Sequence, residues 1–385
     1  MKKKIAILGS TGSIGQNLLK IISRDKEQYE IVLLAANKNY LELLKQAKKF
    51  KVKNIIITDN ECFKKIKKKN NIKHINIYKD FESYKKIFKK KIQYVMSSIS
   101  GTDGLIPTIK IIKHTKKIAI ANKESIICAW NLIDRELKKY KTSFVPVDSE
   151  HFSLWYALGN TANSKVEKIY LTASGGPLLN IKKLNLKNIK LSQALKHPNW
   201  SMGKKISIDS ATMINKALEI IEASVLFNLK SEQIDVVIHP QSIVHGLVHY
   251  KDGSIIANLG CPDMITPISV ALSWPNRLNL NLKKFSLIDV ANLSFFKPDL
   301  IKFPGLKLGW DALDNPSCSP VVLNAANEIA VESFLDNKIK FTDIVNVIFE
   351  ILNIYSPISP SKISDVIEID KLARSKTLNY IKGFN

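Results

Sequence analysis

Two carboxylates stand two residues apart in the stretch VPVDSE, residues 145–150, directly after a short apolar run. On an extended chain, residues i and i+2 point to the same side, so Asp148 and Glu150 would face one space. Like charges held close together repel unless a cation or a proton lies between them. The pattern therefore leaves two hypotheses open, a bound cation or an acidic loop that water solvates.

Residue types that suit a phosphate group follow in the middle of the chain. The turn SGGP, residues 174–177, lies at the end of an expected strand and offers a hydroxyl and backbone amides to an anion. A dense polar stretch comes next, and in it we expect Asp209 or Ser210 to cap a helix that runs to about Phe227. An anion is favoured at the start of such a helix.

On that helix Asn215, Lys216 and Glu219 would share one face, since residues three and four apart are neighbours. The usual meaning of the Lys216 and Glu219 spacing is an ion pair on a solvated face. The alternative is that Glu219 joins Asp148 and Glu150 as a third carboxylate. Three carboxylates with open coordination positions suit Mg²⁺ or Mn²⁺, which prefer oxygen ligands and keep several waters.

A glycine-rich turn near the start of the chain could bind a dinucleotide. The apolar run Lys4–Leu8 predicts a buried parallel strand, and Gln16–Ile22 predicts a helix. Between them, Gly9, Gly12 and Gly15 allow a tight turn and let a diphosphate approach the amides of the helix start. The spacing GxxGxxG is less common than GxGxxG, so an ordinary strand-to-helix turn remains the alternative.

The turn after the next predicted strand, Ile31–Ala35, favours NADP over NAD. NAD enzymes place a carboxylate here for the ribose 2′-hydroxyl, whereas this chain has Asn37, Lys38 and Asn39. A lysine with two amides suits a 2′-phosphate. The strand and helix patterns then keep alternating, which predicts a doubly wound parallel sheet with further strands at 54–58, 94–99 and 118–121.

Three polar residues, Asn122, Lys123 and Glu124, follow the last of these predicted strands. Ligands of doubly wound sheets bind beyond the carboxyl ends of the strands. These side chains are therefore placed to meet a cofactor and its substrate, although a capped helix start would explain them equally well.

The composition bounds the class of protein. The chain has 385 residues, enough for two or three domains. Its formal net charge of +24 would suit a protein that binds nucleic acid. Only four of the 58 basic residues are arginine, the residue that proteins use most to recognise nucleic-acid bases and phosphates. Nucleic acid is therefore not the expected partner. The four cysteines form no CxxC pair, which fits a reducing cytoplasm. No apolar run of about 18 residues predicts a membrane span.

Seven motifs occur in a fixed order: GSTGSIG, IAIANKES, PVDSEH, TASGGP, HPNWSMGKKISIDSATMINKALEIIEA, IHPQSIVHG and LNAANEIA. In this order the chain closely resembles the 1-deoxy-D-xylulose 5-phosphate reductoisomerase family. The resemblance covers essentially the whole chain, and the long motif at 197–223 is highly specific.

Carried over by position, the resemblance implies that Asp148, Glu150 and Glu219 bind one divalent ion and act in catalysis with Lys123. It implies substrate contacts at Lys123, Ser149, Glu150, Ser174, His197, Ser210, Asn215, Lys216 and Glu219. It implies NADPH contacts at Thr11, Gly12, Ser13, Ile14, Asn37, Lys38, Asn39, Asn122, Glu124 and Gly203. Trp200 and Met202 would belong to a closing flap at 197–208.

The resemblance also implies an α/β architecture and a reaction. The expected domains are an NADPH-binding domain with a Rossmann-like doubly wound parallel sheet at 1–147, a central α/β catalytic domain at 148–312 and a C-terminal α-helical domain at 313–385, in a homodimer. The implied reaction rearranges 1-deoxy-D-xylulose 5-phosphate and reduces the product with NADPH, using Mg²⁺ or Mn²⁺. Lys123 and Glu150 are the candidates for moving hydroxyl protons. The rivals are a plain NADP-dependent sugar-phosphate dehydrogenase and a basic nucleic-acid binder.

Overall fold

The computed structural model describes residues 2–68, 74–159, 161–200, 202–282, 285–314, 320–355 and 359–383. The chain divides into two compact units, of which the first comprises Met1–Ser125, Asn131–Phe152 and Met264–Lys283. The second comprises Ile126–Trp130, Ser153–Asp263 and Lys284–Asn385. Across the described ranges, no helix is both long enough and apolar enough to cross a lipid bilayer.

The first unit is built on a parallel sheet, which within the described residues has seven strands: β1 Lys3–Leu8, β2 Tyr29–Ala36, β3 Asn54–Ile57, β4 Asn76–Tyr78, β5 Ile92–Ser97, β6 Thr115–Ile120 and β7 Ser143–Pro146. Their order across the sheet is β4-β3-β2-β1-β5-β6-β7, and neighbouring strands are parallel. The predicted doubly wound parallel sheet is confirmed. Unbroken apolar runs such as the one in β1 are buried because both faces of the sheet are covered.

Helices connect these strands and one follows the last of them: α1 Ser13–Arg24, α2 Tyr40–Lys49, α3 Asn60–Lys67, α4 Tyr84–Ile87, α5 Leu105–Ile112, α6 Lys123–Lys139 and α7 Ser149–Leu158. The strand order reverses between β1 and β5, so the loops that leave these two strands run in opposite directions. Such a switch point opens a crevice at the carboxyl ends of the strands, where a dinucleotide binds in sheets of this type.

The first unit also includes a segment from much later in the chain. The helix Ile265–Ser273 packs against α1, and Arg24 at the end of α1 donates a hydrogen bond to the carbonyl of Leu280. Lys117 of β6 donates to the carbonyl of Trp274 at 2.7 Å. These contacts between distant positions were not foreseen from the sequence.

The second unit contains a mixed sheet, which in the described part of the chain has four strands: β8 Val166–Ala173, β9 Ile234–Ile238, β10 Val244–Tyr250 and β11 Ile255–Leu259. Their order is β11-β10-β8-β9, with β8 and β9 parallel and β10 antiparallel to both β8 and β11. The outer edge of β9 pairs at Ile238 with Phe296. The strand β11 forms the opposite edge of the sheet.

The remaining helices, in chain order, are α8 Leu191–Ala194, α9 Lys204–Thr212, α10 Ile214–Phe227, α11 Ile265–Ser273, α12 Leu287–Val290, α13 Leu308–Asp314, α14 Pro320–Leu335, α15 Phe341–Ile354 and α16 Ile363–Lys382. The described residues after 313 are largely helical, in α14, α15 and α16, as the resemblance implied for this part of the chain. The helix α14 packs against α9, α15 and α16 and is buried along nearly its whole length, so it is a core helix of this region.

Two local expectations are wrong. The helix expected to run from Asp209 or Ser210 to Phe227 is two helices, because Met213 adopts a left-handed conformation with a φ of 63° between α9 and α10. Asp209 and Ser210 therefore lie near the end of α9 and cap no helix start. The stretch 148–150 is not extended, because α7 begins at its second residue, so the period-two argument does not apply there.

Gly309 allows α13 to lie directly against α10, the helix that carries Lys216 and Glu219. A Cβ at Gly309 would lie 2.7 Å from the carbonyl oxygen of Ala217. Backbone atoms cannot move aside as a flexible side chain can, so Gly309→Ala should lower the free energy of unfolding by about 1–3 kcal/mol in urea denaturation. Gly260→Ala is the matched control, since a Cβ there meets no atom within 4 Å. Equal stability of the two variants would contradict this packing.

Candidate active site

The glycine-rich turn after β1 is shaped by close backbone approach. Gly9 has a φ of +80°, and a Cβ there would lie 2.4 Å from the carbonyl oxygen of Ser98, which follows β5. A Cβ on Gly15 would lie 2.5 Å from the carbonyl oxygen of Gly9. The turn is thus held tightly at the switch point of the sheet, and residues 11–14 are left at least partly exposed at the start of α1.

The turn after β2 presents three exposed polar residues, Asn37, Lys38 and Asn39. Asn39 caps α2 by accepting a hydrogen bond from the backbone N–H of Glu42 at 3.2 Å. Asn37 accepts one from the hydroxyl of Thr58 at 3.2 Å. The two amides therefore fix the turn, and Lys38 contributes a positive charge at its surface.

The side chain of Asn122 is buried and holds the start of α6. Its Oδ1 accepts from the backbone N–H of Ser125 at 2.5 Å, and its Nδ2 donates to the carbonyls of Gly101, at 2.8 Å, and Ile99. This side chain ties the start of α6 to the loop after β5. Glu124, the second residue of α6, is only partly exposed.

Lys123 and Asp148 form an ion pair in the first unit, with 2.7 Å between Nζ and Oδ2. The two residues follow β6 and β7, which are parallel neighbours, so their carboxyl ends bring the side chains together. Lys123 is 8% exposed and Asp148 is half-buried, so the pair is only partly accessible to water. Beside it, the hydroxyl of Ser149 donates to the carboxylate of Glu150 at 2.5 Å.

The turn SGGP in the second unit lies against the end of α9. Gly175 and Gly176 have φ values of 84° and 69°, which favour glycine. A Cβ on Gly176 would lie 2.6 Å from the carbonyl oxygen of Ser210. The backbone N–H of Gly176 donates to the hydroxyl oxygen of Ser174 at 3.1 Å. The structure thus brings the turn of Ser174 into contact with the backbone of Ser210.

His197 lies next to this turn, with 3.1 Å between its Nε2 and the Oγ of Ser174. Its Nδ1 accepts hydrogen bonds from the backbone N–H groups of Asn199, at 3.1 Å, and Trp200, at 3.0 Å. Burial lowers the pKa of His197, so the imidazole is neutral at physiological pH.

Asn215, Lys216 and Glu219 share one face of α10, as the spacing predicted. Lys216 donates to the carboxylate of Glu219 at 2.5 Å, and Asn215 donates to its other oxygen. Glu219 is 1% exposed and Lys216 is 4% exposed. The ion pair is therefore buried, and the hypothesis of a solvated helix face is wrong.

The residues expected in a flap are only partly covered. Trp200 is half-buried, and its ring meets that of His245 edge-on, with centroids 6.2 Å apart. Met202 is half-buried and Gly203 is exposed, with no atom within 4 Å of a Cβ placed there. Within the expected flap, Ser201 lies outside the described residues.

Two further contacts near the flap were not foreseen. Asn199 donates to the carbonyl of Pro240 at 2.6 Å and to the hydroxyl of Ser242 at 2.9 Å. The buried carboxylate of Asp209 accepts from Asn327 of α14 at 2.9 Å. A buried polar residue needs a partner, but its sequence position does not say which distant group supplies it.

Three family models match most of the chain. Residues 5–130 match the model described as 1-deoxy-D-xylulose 5-phosphate reductoisomerase. Residues 144–227 match the C-terminal domain of that enzyme, and residues 259–376 match a second model described as the DXP reductoisomerase C-terminal domain.

Individual relatives match along nearly the full length. The 1-deoxy-D-xylulose 5-phosphate reductoisomerase of Pelagibacter ubique is 49% identical over 91% of both chains. The enzyme of the same name from Pelodictyon phaeoclathratiforme is 42% identical over 98% of this chain and 100% of its own.

Solved structures agree. The reductoisomerase of Zymomonas mobilis in complex with NADPH is 35% identical, with a TM-score of 0.92 over 99% of both chains. A DOX-P reductoisomerase in complex with NADPH, fosmidomycin and magnesium is 38% identical, with a TM-score of 0.90 over 99% of this chain and 98% of its own. With sequence and fold in agreement from end to end, this chain belongs to the 1-deoxy-D-xylulose 5-phosphate reductoisomerase family.

Proposed function

We propose that the protein converts 1-deoxy-D-xylulose 5-phosphate to 2-C-methyl-D-erythritol 4-phosphate, with NADPH and a divalent metal ion. The observation that carries this conclusion is the match over 98% of the chain to a relative named for the reaction. Solved relatives that bind NADPH and magnesium support the two cofactors. The enzyme is an NADPH-dependent oxidoreductase, and its ligand is a small molecule of the sugar-phosphate type.

NADPH would lie on the first unit, at the switch point between β1 and β5. The start of α1 would hold the diphosphate through its amides, and Lys38 would pair with the 2′-phosphate. When bound, NADPH supplies the hydride. The full set assigned to it is Thr11, Gly12, Ser13, Ile14, Asn37, Lys38, Asn39, Asn122, Glu124 and Gly203. For Asn122 we assign the contact to its backbone, since its side chain holds the start of α6.

We assign the divalent ion to Asp148, Glu150 and Glu219. Carboxylate oxygens are the donors that Mg²⁺ and Mn²⁺ prefer, and this set offers three carboxylates that are half-buried or buried, which fits such an ion. When bound, the ion would act as a Lewis acid toward the ketone of the substrate. Lys216 and Asn215 hold the carboxylate of Glu219 in place on α10.

The protein's own groups would hold the phosphate and move protons. Ser174, Ser210, Asn215 and Lys216 would bind the phosphate together with His197, and the binding energy would favour closure of Trp200 and Met202 over the substrate. Lys123 and Glu150 would take and return the hydroxyl protons, while the Ser149 hydroxyl orients the carboxylate of Glu150. Charge on Lys123 is stabilised by Asp148.

We further propose a cytoplasmic homodimer with three functional domains: NADPH binding at 1–147, catalysis at 148–312 with the flap at 197–208, and a helical domain at 313–385. The edge strand β11 supports the dimer. Its Ile255, Ile256 and Leu259 are all exposed, and a second copy of the chain would cover such an apolar edge.

The activity is tested by following NADPH absorbance with 1-deoxy-D-xylulose 5-phosphate as substrate. We expect oxidation of NADPH only when Mg²⁺ or Mn²⁺ is present, and a chelator should abolish it. Glu219→Gln should reduce kcat/KM at least about 100-fold, since the metal contribution is worth several kcal/mol. The ion should also raise the melting temperature of the wild type, and raise it much less for Glu219→Gln.

The control for this experiment is Glu232→Gln, which removes a carboxylate from an exposed pair with Lys230. It should leave metal-dependent turnover unchanged. Full metal-dependent turnover by Glu219→Gln would refute the three-carboxylate site. Turnover by the wild type without any divalent ion would point instead to a plain dehydrogenase.

Lys38 should decide the preference for NADPH over NADH. Lys38→Glu removes the charge that would pair with the 2′-phosphate, so the ratio of kcat/KM values for the two cofactors should fall about 10- to 100-fold. Lys45→Glu makes the same charge change on α2 and should leave the ratio intact. Equal use of both cofactors by the wild type would contradict the assignment.

The dimer is tested by light scattering after gel filtration. The wild type should have twice the chain mass of 43.4 kDa, and Ile256→Lys should shift it toward the monomer by placing a charge on the β11 edge. Leu184→Lys changes a residue that is 88% exposed outside this strand and serves as the control. A wild-type protein that runs as a monomer at micromolar concentration would contradict the homodimer.

A further inference from the structure

The side chain of Asn199 anchors the start of the expected flap to a turn between β9 and β10. Its Nδ2 group donates both of its hydrogens, to the carbonyl of Pro240 at 2.6 Å and to the hydroxyl of Ser242 at 2.9 Å. Both acceptors are fixed in the turn at 239–242. These two hydrogen bonds therefore fix the position of Asn199 relative to the sheet of the second unit.

The turn that receives Asn199 is itself held in several ways. The backbone N–H of His239 donates to the carbonyl of Ala173 at 2.7 Å, one residue before Ser174. The Nδ1 of His239 lies 2.9 Å from the carbonyl of Ser294. His239 and Ser242 are buried. The turn thus connects Asn199 through a short and rigid path to the residue that we assign to phosphate binding.

The position of Asn199 sets the tautomer of His197. The Nδ1 of His197 accepts the backbone N–H groups of Asn199 and Trp200, so it carries no proton itself. In the neutral imidazole the proton is then on Nε2, which lies 3.1 Å from the Oγ of Ser174 and donates to it. A shift of the Asn199 backbone would remove this constraint.

The tautomer of His197 in turn sets the direction of the Ser174 hydroxyl. Its oxygen accepts from the Nε2–H of His197 and from the backbone N–H of Gly176 at 3.1 Å, which uses both of its lone pairs. The hydroxyl hydrogen must then be donated away from these two groups. An anion seated at the turn would receive it.

We propose that Asn199 is a positioning residue that orients the Ser174 hydroxyl as a donor to the substrate phosphate, by fixing the tautomer of His197. It touches neither substrate nor cofactor and acts through His197. The inference rests on the proposed phosphate role of Ser174. Because all residues assigned to NADPH except Gly203 lie in the first unit, the anchor affects binding of the sugar phosphate far more than binding of NADPH.

Asn199→Asp tests the anchor, since it keeps the shape of the side chain but replaces the donor by a second acceptor. The mismatch with Pro240 should raise KM for 1-deoxy-D-xylulose 5-phosphate about 10- to 100-fold, as expected for an unsatisfied acceptor. KM for NADPH should stay within about twofold. Ser242→Ala removes one acceptor and keeps Pro240, so its effect should be smaller. Asn185→Asp makes the same change at an exposed site and should have no effect.

A second measurement reports on His197 directly. The imidazole nitrogen shifts of ¹⁵N-labelled protein, assigned with His197→Gln, distinguish the two tautomers. We expect the Nε2–H form in the wild type and a mixture of tautomers in Asn199→Asp. A residue with only a structural role would not move this readout. Should Asn199→Asp fail to fold, Ser242→Ala with both measurements decides the question.

The two measurements distinguish failure of the Asn199 anchor from failure of the proposed function. A raised KM for the sugar phosphate with unchanged His197 shifts would overturn the proposal, as would an unchanged KM or an equal rise in both KM values. If the wild type does not turn over the sugar phosphate, the proposed function fails. The shift of the His197 tautomer in the variant would still support or refute the anchor in that case.

Discussion

A buried carboxylate at Glu219 is the constraint on which the arrangement of α9 and α10 in the second unit depends. A charge with almost no contact with water is tolerated only when hydrogen bonds and an opposite charge offset its lost hydration. Lys216 and Asn215 supply these, and both lie on the same helix as Glu219. The compensation therefore depends on where α10 begins. The left-handed Met213 sets that start and ends α9 against the turn of Ser174, so the conformation of one residue affects both the buried charge and this turn.

Much of the fold could be predicted from local patterns. Most strands of the first sheet follow from apolar runs, whereas the three-residue β4 was not expected. The turn after β1 follows from glycines whose absent side chains permit backbone contact at Gly9 and Gly15. The break at Met213 could not be predicted, because methionine has no preference for a left-handed conformation and only the surrounding packing imposes it. The packing of α11 on the first unit could not be predicted either, since the periodicity of a sequence identifies a helix but not the surface against which it packs.

The proposed site also has parts that could be predicted from the sequence and parts that could not. Residue types and motif order selected the members of the proposed site, and the structure joins some of them within each unit: Lys123 to Asp148, Ser174 to His197, and Lys216 to Glu219. The helix pattern correctly gave the shared face of α10 but not its burial, because spacing along a helix says nothing of what lies opposite. Asn199 escaped notice for a related reason. Its acceptors are a backbone carbonyl and a serine more than forty residues away, and a backbone carbonyl carries no sequence signature.

The late return of α11 to the first unit has a consequence for how the chain is made. Arg24 meets the carbonyl of Leu280, a partner 256 positions later in the chain. At about 5–20 residues per second, a ribosome takes roughly ten seconds to a minute to produce that partner. Once Pro146, the end of β7, has been made, every described strand of the parallel sheet exists, but α1 still lacks the helix that packs on it. Part of the surface of the nascent first unit therefore stays uncovered while residues 153–263 of the second are synthesised, and chaperones have that interval in which to bind it.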